Sequence, residues 1–391
     1  MKWWPFKREM RSYDPGIPSD RYWDRFAAGP ALSGQLVTPN TAESLATVYA
    51  CVQAISETVA SLPLLVYRKT EGGRERAPEH PLYSILHDAP NPNQTSLEFR
   101  EQMQAAVLLN GNAYAEIDWA GDGSVRSLTS IHPNDVAVVK LSNGSHAYEV
   151  TSGNGKLRRI LADDMLHLKD RTENGVTGRS RIAITRESIG LAMAQHEHGA
   201  RTFAGGTRIS GVLETPHVMT GEQMDRLRDS WQAQFGGQTN TGKTAILENG
   251  LVYKQMSMTL EDAEWIAAMQ FSVEQVCRIF RVPPTMVGDL RHGNYSNTSE
   301  LARHFVVHTL RRHLIMWEQA ITRACMGPIA RSRYLIEHNV EGLLRGDSNN
   351  RADFYLKGID AGWLLRSEAR RLENLPTIEG IDDEQSDRAA A

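Results

Sequence analysis

Three cysteines in 391 residues, Cys51, Cys277 and Cys325, stand far apart and never at a Cys-x-x-Cys spacing. That excludes a disulfide framework and a cysteine zinc site. No apolar run approaches the roughly 18 residues of a membrane span, and the opening MKWWPFKREM has no apolar leader core. The chain is therefore expected to be soluble, intracellular where it is made, and without a membrane partner. Basic charge is scarce as a block: 43 Lys and Arg against 47 Asp and Glu leave a net −4, spread along the chain. A protein that grips nucleic acid tightly would show a basic stripe or patch. Gly-x-Ser-x-Gly and Rossmann fingerprints are missing as well. Nothing argues positively for an enzyme, and no cofactor is expected.

What is present is apolar periodicity. With 41% apolar and 23% charged residues, the chain can bury a core and suits two or three substructures. Its centre is residues 259–326. Thr259 with Glu261 and Asp262 opens a helix whose apolar face is Trp265, Met269, Val273, Val276 and Phe280. Pro283 and Pro284 stop it. A polar loop follows, and a second helix restarts at Asn297 or Thr298. Its stripe of Ala302, Val306, Leu310, Leu314, Trp317, Ile321 and Ala324 runs to Met326, about 45 Å of helix.

Upstream, residues 1–40 show no period but carry Trp3, Trp4, Phe6, Tyr22, Trp23 and Phe26. Exposed aromatics of that kind dock on something. Leu45, Val48, Val52, Ile55, Val59 and Leu62 predict one helix from Thr41 to Pro63, His80 to Leu86 a short one, and Thr95 with Glu98 the capping box of a third that ends near Gly111. Residues 112–170 read as a mixed β meander, and a single helix is expected over about 182–204. Another helix, with Met224, Leu227, Trp231 and Phe235, ends at Gly236 and Gly237, and Asn249-Gly250 predicts a hairpin between 244–248 and 251–256. After Met326 shorter helices are expected at Val340–Leu344, Ala352–Gly362 and Arg366–Asn374.

Three constellations carry candidate chemistry. Gly237, Gly242, Lys243 and Thr244 fit the phosphate-loop pattern, but a helix precedes them and a hairpin follows, so no helix N-terminus faces a phosphate. A polar connector is the preferred reading; a nucleotide-hydrolysing packaging protein is the alternative. His304 and His308 stand one helical turn apart with His313 beyond, the spacing for a shared metal and a metal-dependent hydrolase. No glutamate stands between them and no third ligand is placed, so solvated or interfacial histidines are the preferred reading. Asp163, Asp164, His167 and Asp170 straddle a strand whose alternation splits them between two faces. The loop 285–297 suits a lid, a connector or the lining of a passage.

Eight stretches, in order, carry a resemblance: TVYACVQAISETVASLPLLVYR at 47–68, HPLYSILHDAPNPNQTSLEFRE at 80–101, LLNGNAYAEI at 108–117, SGVLETP at 210–216, AILENGLVYKQMSMTLEDAEW at 245–265, RIFRVPPTMVGDL at 278–290, NVEGLLRGDSNNRADFY at 339–355 and NLPTIEG at 374–380. Together they resemble the HK97-like portal proteins of tailed bacteriophages, a portal type that gene transfer agents also use. The resemblance implies an α+β portal fold: an N-terminal arm at 1–40, an α+β wing at 41–218, stem helices at 219–235 and 259–281, and a small clip with a hairpin at 236–258. A tunnel loop at 282–297, a long wing helix at 298–326, a helical crown at 327–381 and a flexible tail at 382–391 complete it.

It further implies a ring, a homododecamer, at one capsid vertex in the virion, assembled in the host cytoplasm. Double-stranded DNA would pass through it, touched weakly and without sequence preference. The implied partners are the major capsid protein, the terminase large subunit and a neck or adaptor protein. By this resemblance Asp289, Arg291, His292, Asn294 and Tyr295 face DNA, Gln238, Asn240, Lys243 and Asn249 meet terminase, and Trp3, Trp4, Phe6 and Trp23 reach a neighbouring subunit. No catalytic, cofactor or metal residue is implied. A mildly acidic chain suits a conduit, because each neutralised phosphate would release counterions and strengthen attachment.

Overall fold

The computed structural model describes residues 30–153, 155–204, 211–216, 219–235, 252–255, 260–291, 298–340, 348–373, 375–376, 378 and 380–382. The chain divides into two compact units, residues 1–190 with 273–391, and residues 191–272.

The first unit opens with two helices where apolar spacing predicts one. α1 (Pro39–Glu43) stops at Ser44, whose Oγ donates to the Thr41 carbonyl at 2.7 Å, and α2 (Ala46–Ser61) starts after an extended Leu45. A hydroxyl competing for a backbone group ends a helix that periodicity would continue. Along α2, Val48, Val52, Ile55 and Val59 are buried. β1 (Leu64–Thr70) and β2 (Gly73–Arg76) follow, then α3 (Pro81–His87), where His80 is the N-cap and its Nδ1 accepts from Leu82 N at 3.2 Å.

α4 (Ser96–Asn110) packs along α2 and carries the predicted capping box, with Glu98 accepting from Thr95 N at 2.8 Å. Gly111 ends it at φ +79°. A Cβ on Gly111 would lie 2.4 Å from the Arg179 carbonyl carbon, and one on Gly178 only 2.1 Å from the Gly111 oxygen. Two backbones cross here at a separation that no side chain permits.

The β-rich stretch is two antiparallel sheets and not one mixed meander. β3 (Asn112–Trp119) pairs with β4 (Val125–Ile131) on one edge, while β5 (Val136–Lys140), β6 (His146–Thr151) and β7 (Leu157–Leu161) form a separate three-stranded sheet. β8 (Met165–Lys169) then returns to the free edge of β3, giving the order β4-β3-β8. Tyr114, Val136, Val138, Tyr148, Val150, Ile160 and Met165 form their shared core. A further helix pattern is again split, into α5 (Arg181–Ile184) and α6 (Arg186–Ala204), at Thr185, whose hydroxyl donates to the Arg181 carbonyl at 2.8 Å.

In the second unit, α6 approaches α8 (Leu260–Phe280). Between them in sequence lie β9 (Gly211–Glu214), α7 (Gly221–Phe235) and β10 (Val252–Gln255). A Cβ on Gly199 would meet the Trp265 ring at 2.6 Å, so the close crossing of the two helices requires glycine. The Ser272 hydroxyl donates to Gln195 across the same crossing. Residues 252–255, expected as a hairpin arm with 244–248, pair with β9 in the SGVLETP stretch; 244–248 lie outside the described residues.

Back in the first unit, α9 (Thr298–Phe305), a π turn at Val306–Leu310 and α10 (Arg311–Cys325) make the predicted long helix, with the π turn as an irregularity that spacing did not reveal. α11 (Pro328–Arg333) precedes β11 (Tyr334–His338), a strand absent from the sequence reading, which pairs antiparallel with β1 in the order β11-β1-β2. Its partner strand lies far away in sequence, so only tertiary pairing marks it (Arg68 opposite Tyr334, 266 apart, and Leu64 opposite His338, 274 apart). α12 (Ser348–Asp360) and α13 (Arg366–Leu372) close the described chain.

Candidate functional site

The loop at 282–291 is built by the end of α8. Val282 N donates to the Cys277 carbonyl at 3.0 Å and Arg281 N to the Arg278 carbonyl at 3.3 Å, the paired bonds of a Schellman cap. Such a cap places one residue in the left-handed region, and that residue is Arg281 at φ +60° where glycine is usual. Among the described residues it is the one non-glycine with positive φ. The chain then turns through Pro283 and the 3-10 segment Pro284–Val287, and Gly288 at φ +86° redirects it.

Asp289 follows, its backbone N–H on the Pro284 carbonyl at 3.0 Å. Arg291 Nε donates to Asp289 Oδ1 at 2.8 Å, a second guanidinium nitrogen reaches Oδ2, and Arg291 N donates to Oδ1 at 3.2 Å. The Asp289 side chain is 10% exposed and that of Arg291 35%. The hydrogen bonds that Arg291 donates to the Asp289 carboxylate raise its pKa, against a smaller lowering by burial. The cation of the loop is thus neutralised by its own chain. Leu290 between them is 67% exposed and Met286 44%, so the loop presents apolar and compensated groups.

The long helix closes the loop's base. Thr309, buried in the π turn, donates its hydroxyl to the Arg281 carbonyl at 2.6 Å. The extra residue of a π turn frees a backbone position and re-aims side chains. His304 and His308 lie on the exposed side with rings 4.1 Å apart. His313 faces the core: Gln104 Nε2 lies 3.0 Å from its Nδ1, and Gln104 Oε1 accepts from Trp317 Nε1 at 2.9 Å. Burial, then the nearby Arg181 charge, push the His313 pKa down to about 3. Among the described residues no three His, Cys, Asp or Glu side chains converge as metal ligands.

Asp163, His167 and Asp170 border one cavity, so alternation does not part them, but His167 and Asp170 are bonded to separate partners. His167 on β8 sits between Tyr114 and Tyr148, with Nε2 3.0 Å from Asn112 Oδ1 and Nδ1 3.1 Å from the Tyr148 hydroxyl. Burial drives its pKa well below the imidazole range. Asp170 instead accepts from Arg181 Nε at 2.6 Å and from Arg312. Burial favours its neutral form, but the Arg181 hydrogen bond and charge, with Arg312, leave its pKa lowered. These are groups that hold α4, α5, β8 and α10 together, with no nucleophile or paired acid and base aimed at a common point.

Of the sequence-assigned site residues, Asp289 and Arg291 are described and touch each other. His292, Asn294 and Tyr295, the clip residues Gln238, Asn240, Lys243 and Asn249, and the arm residues Trp3, Trp4, Phe6 and Trp23 lie outside the described residues. Sequence reasoning missed Arg281 and Thr309. Neither carries a local signal, since an arginine after a helix and a threonine inside one are ordinary.

Residues 46–374 match the family described as phage portal protein. The chain is 31% identical over 343 residues to the portal protein of Enterobacteria phage HK97, covering 86% of this chain and 80% of that one. It is 29% identical over 386 residues to a probable portal protein of Streptomyces phage phiC31, covering 96% and 83%. Among solved structures, it resembles a chain in "Neck of empty GTA particle computed with C6 symmetry" with TM-score 0.63 and 24% identity, over 84% of this chain and 90% of that chain. Another, in "Neck of native GTA particle computed with C12 symmetry", has TM-score 0.60 and 23% identity, over 90% and 99%. The chain belongs to the phage portal protein family, in its HK97-like branch. It is a structural protein and not an enzyme.

Proposed function

We propose that this portal protein forms a ring of twelve copies at one vertex of a phage or gene transfer agent head, and that double-stranded DNA enters and leaves through the ring. The observation that carries the reading is the self-neutralised loop: Arg291 is paired with Asp289, and both stand at the end of α8, where the resemblance assigns the DNA-facing tunnel loop. A polyanion slides past compensated charge, whereas free cations would bind it in proportion to the counterions released. The number twelve is supported by the C12 symmetry of the neck structure that shares this fold.

In this reading α7 and α8 are stem helices, residues 236–258 are the clip that docks the terminase large subunit and then a neck protein, and His292, Asn294 and Tyr295 face DNA with Asp289 and Arg291. The wing is residues 41–218 with 298–326, joined by β11 through its pairing with β1, and the crown follows. The major capsid protein surrounds the ring. Rings of one chain need two different patches on each copy, and the aromatic arm supplies one.

Mass photometry combined with negative-stain imaging tests the proposal. Particles of twelve times 43.7 kDa, with a central hole wide enough for a B-form duplex, are expected. Compact dimers that hydrolyse ATP would overturn it.

A further inference from the structure

Two histidines on the long helix take no part in the core or in the ion pair of the loop. His304 is the penultimate residue of α9, and His308 lies four positions on, inside the π turn at Val306–Leu310. Both are exposed, and their rings stand 4.1 Å apart with their planes at 46°. The backbone bonding of one helix presets this pair, so no other segment has to arrive to bring it together.

A shared metal ion demands a definite separation. With each nitrogen roughly 2.0–2.1 Å from zinc and bond angles between square and tetrahedral, two imidazole centres lie about 4.5–5 Å apart. The observed 4.1 Å is short of that by less than about 1 Å, which a small rotation of two exposed side chains supplies. Chelation needs no backbone movement. The donors also select the ion: neutral imidazole suits zinc, nickel and copper, whereas magnesium and calcium take oxygen ligands. Two histidines fill two positions and water fills the others. Such a site requires no third converging His, Cys, Asp or Glu, and none is found among the described residues.

His304 precedes the junction of α9 with the π turn, and His308 follows it. The next residue, Thr309, donates its hydroxyl to the Arg281 carbonyl at the base of the loop. An ion bridging the two rings resists any change of rise or rotation between them, at the place where the helix departs from regular geometry. We propose that His304 and His308 chelate one divalent transition-metal ion of the zinc, nickel and copper class, and that the bound ion pins the π turn and so steadies residues 281–291. The site lies within one copy and does not rest on the ring reading.

Isothermal titration of the untagged full chain with zinc chloride tests the site, with nickel, copper and magnesium salts for comparison. His87→Gln is the control, because His87 is exposed and has no second histidine one turn away. Melts without metal establish that each variant is folded. Binding of one zinc per chain by the wild type and by His87→Gln, weakened at least about tenfold in His304→Gln and in His308→Gln, is expected. Copper should bind more tightly than nickel, and magnesium should give no heat of binding. Hydrogen exchange read by mass spectrometry tests the consequence: with zinc, amides of 281–291 should exchange more slowly in the wild type and at an unchanged rate in His304→Gln. Equal zinc affinity in the wild type and both variants overturns the site. Zinc held by the pair with no slowing over 281–291 overturns its hold on the loop.

Discussion

The Thr309 hydroxyl donates to the Arg281 carbonyl at 2.6 Å, across 28 positions of sequence. It ties the π turn of the long helix to the left-handed residue where α8 ends, and so fixes the two ends of the segment between them.

Replacing that hydroxyl is expected to loosen the loop's base. Thr309→Val leaves the Arg281 carbonyl without its donor in a partly buried position, which costs about 1–3 kcal/mol. Thr309→Ser keeps the bond. Urea unfolding curves of the three proteins check it: a lower midpoint for Val and a near wild-type midpoint for Ser are expected, and equal midpoints would remove the bond from the account of stability.

Asp289→Asn is expected to free Arg291. The variant ring then offers an uncompensated cation in every loop, so its affinity for a DNA duplex should rise and its salt dependence steepen, by roughly one released counterion for each phosphate newly contacted. Fluorescence anisotropy over a salt series reads both. Arg291→Ala added to Asp289→Asn should return binding to the wild-type level. If Asp289→Asn alone changes nothing, these two residues do not face DNA.

At the backbone crossing, Gly178→Ala would put a Cβ 2.1 Å from the Gly111 carbonyl oxygen. Neither backbone can give way, since Asp170 N donates to the Gly111 oxygen at 2.8 Å and Gly178 N to Asn112 Oδ1 at 2.7 Å. A loss of about 3 kcal/mol or more is expected, read as a lowered melting temperature or insoluble protein. Gly123→Ala, in an open turn at φ +80° with no heavy atom near the added carbon, should cost only the left-handed penalty of about 1–2 kcal/mol.

Acid stability should depend on His313. Its folded pKa of about 3 lies below the ordinary 6.5, so the unfolded chain binds the extra proton between those values. Stability is full above pH 6.5 and falls as pH drops towards 3, by ~1.4 kcal/mol per pH unit for each such proton. Asp170, with its lowered pKa, adds a loss only at the acid end of that range and below. His313→Gln, facing Gln104, Arg181 and Arg312, should flatten the pH dependence by about one proton; an unchanged slope would show that His313 is not buried neutral.

Deleting residues 2–30 should lower ring yield in native mass spectrometry if the aromatic arm, Trp3 and Trp23 included, bridges neighbouring copies. Unchanged yield would remove it from the interface.

Periodicity and caps were legible wherever a signal is local. The buried face of α2, the Thr95 and Glu98 capping box, the stop at Pro283 and Pro284, and the long helix with buried Leu314, Trp317 and Ile321 could all be read from the chain. The splits at Ser44 and Thr185 could not, because a hydroxyl that turns onto a carbonyl is one of two options open to any serine or threonine in a helix. Asp289 and Arg291 were legible as polar residues of the loop that follows α8. That they neutralise each other depends on the turn at Gly288, which brings the carboxylate under the guanidinium.

The sequence by itself determined the class of protein, through ordered stretches whose likeness to the HK97-like portals spans most of the chain, and the absence of catalytic motifs. It also determined the longer helices, though not where they break, since a helix is bonded within its own segment and amphipathic spacing records which face is buried. Tertiary structure alone decided what joins distant segments: β11 on β1, β8 on the far edge of β3, Gly178 against Gly111, and Thr309 on Arg281. Each of these depends on the path of the chain between its two partners, and no local spacing encodes that path.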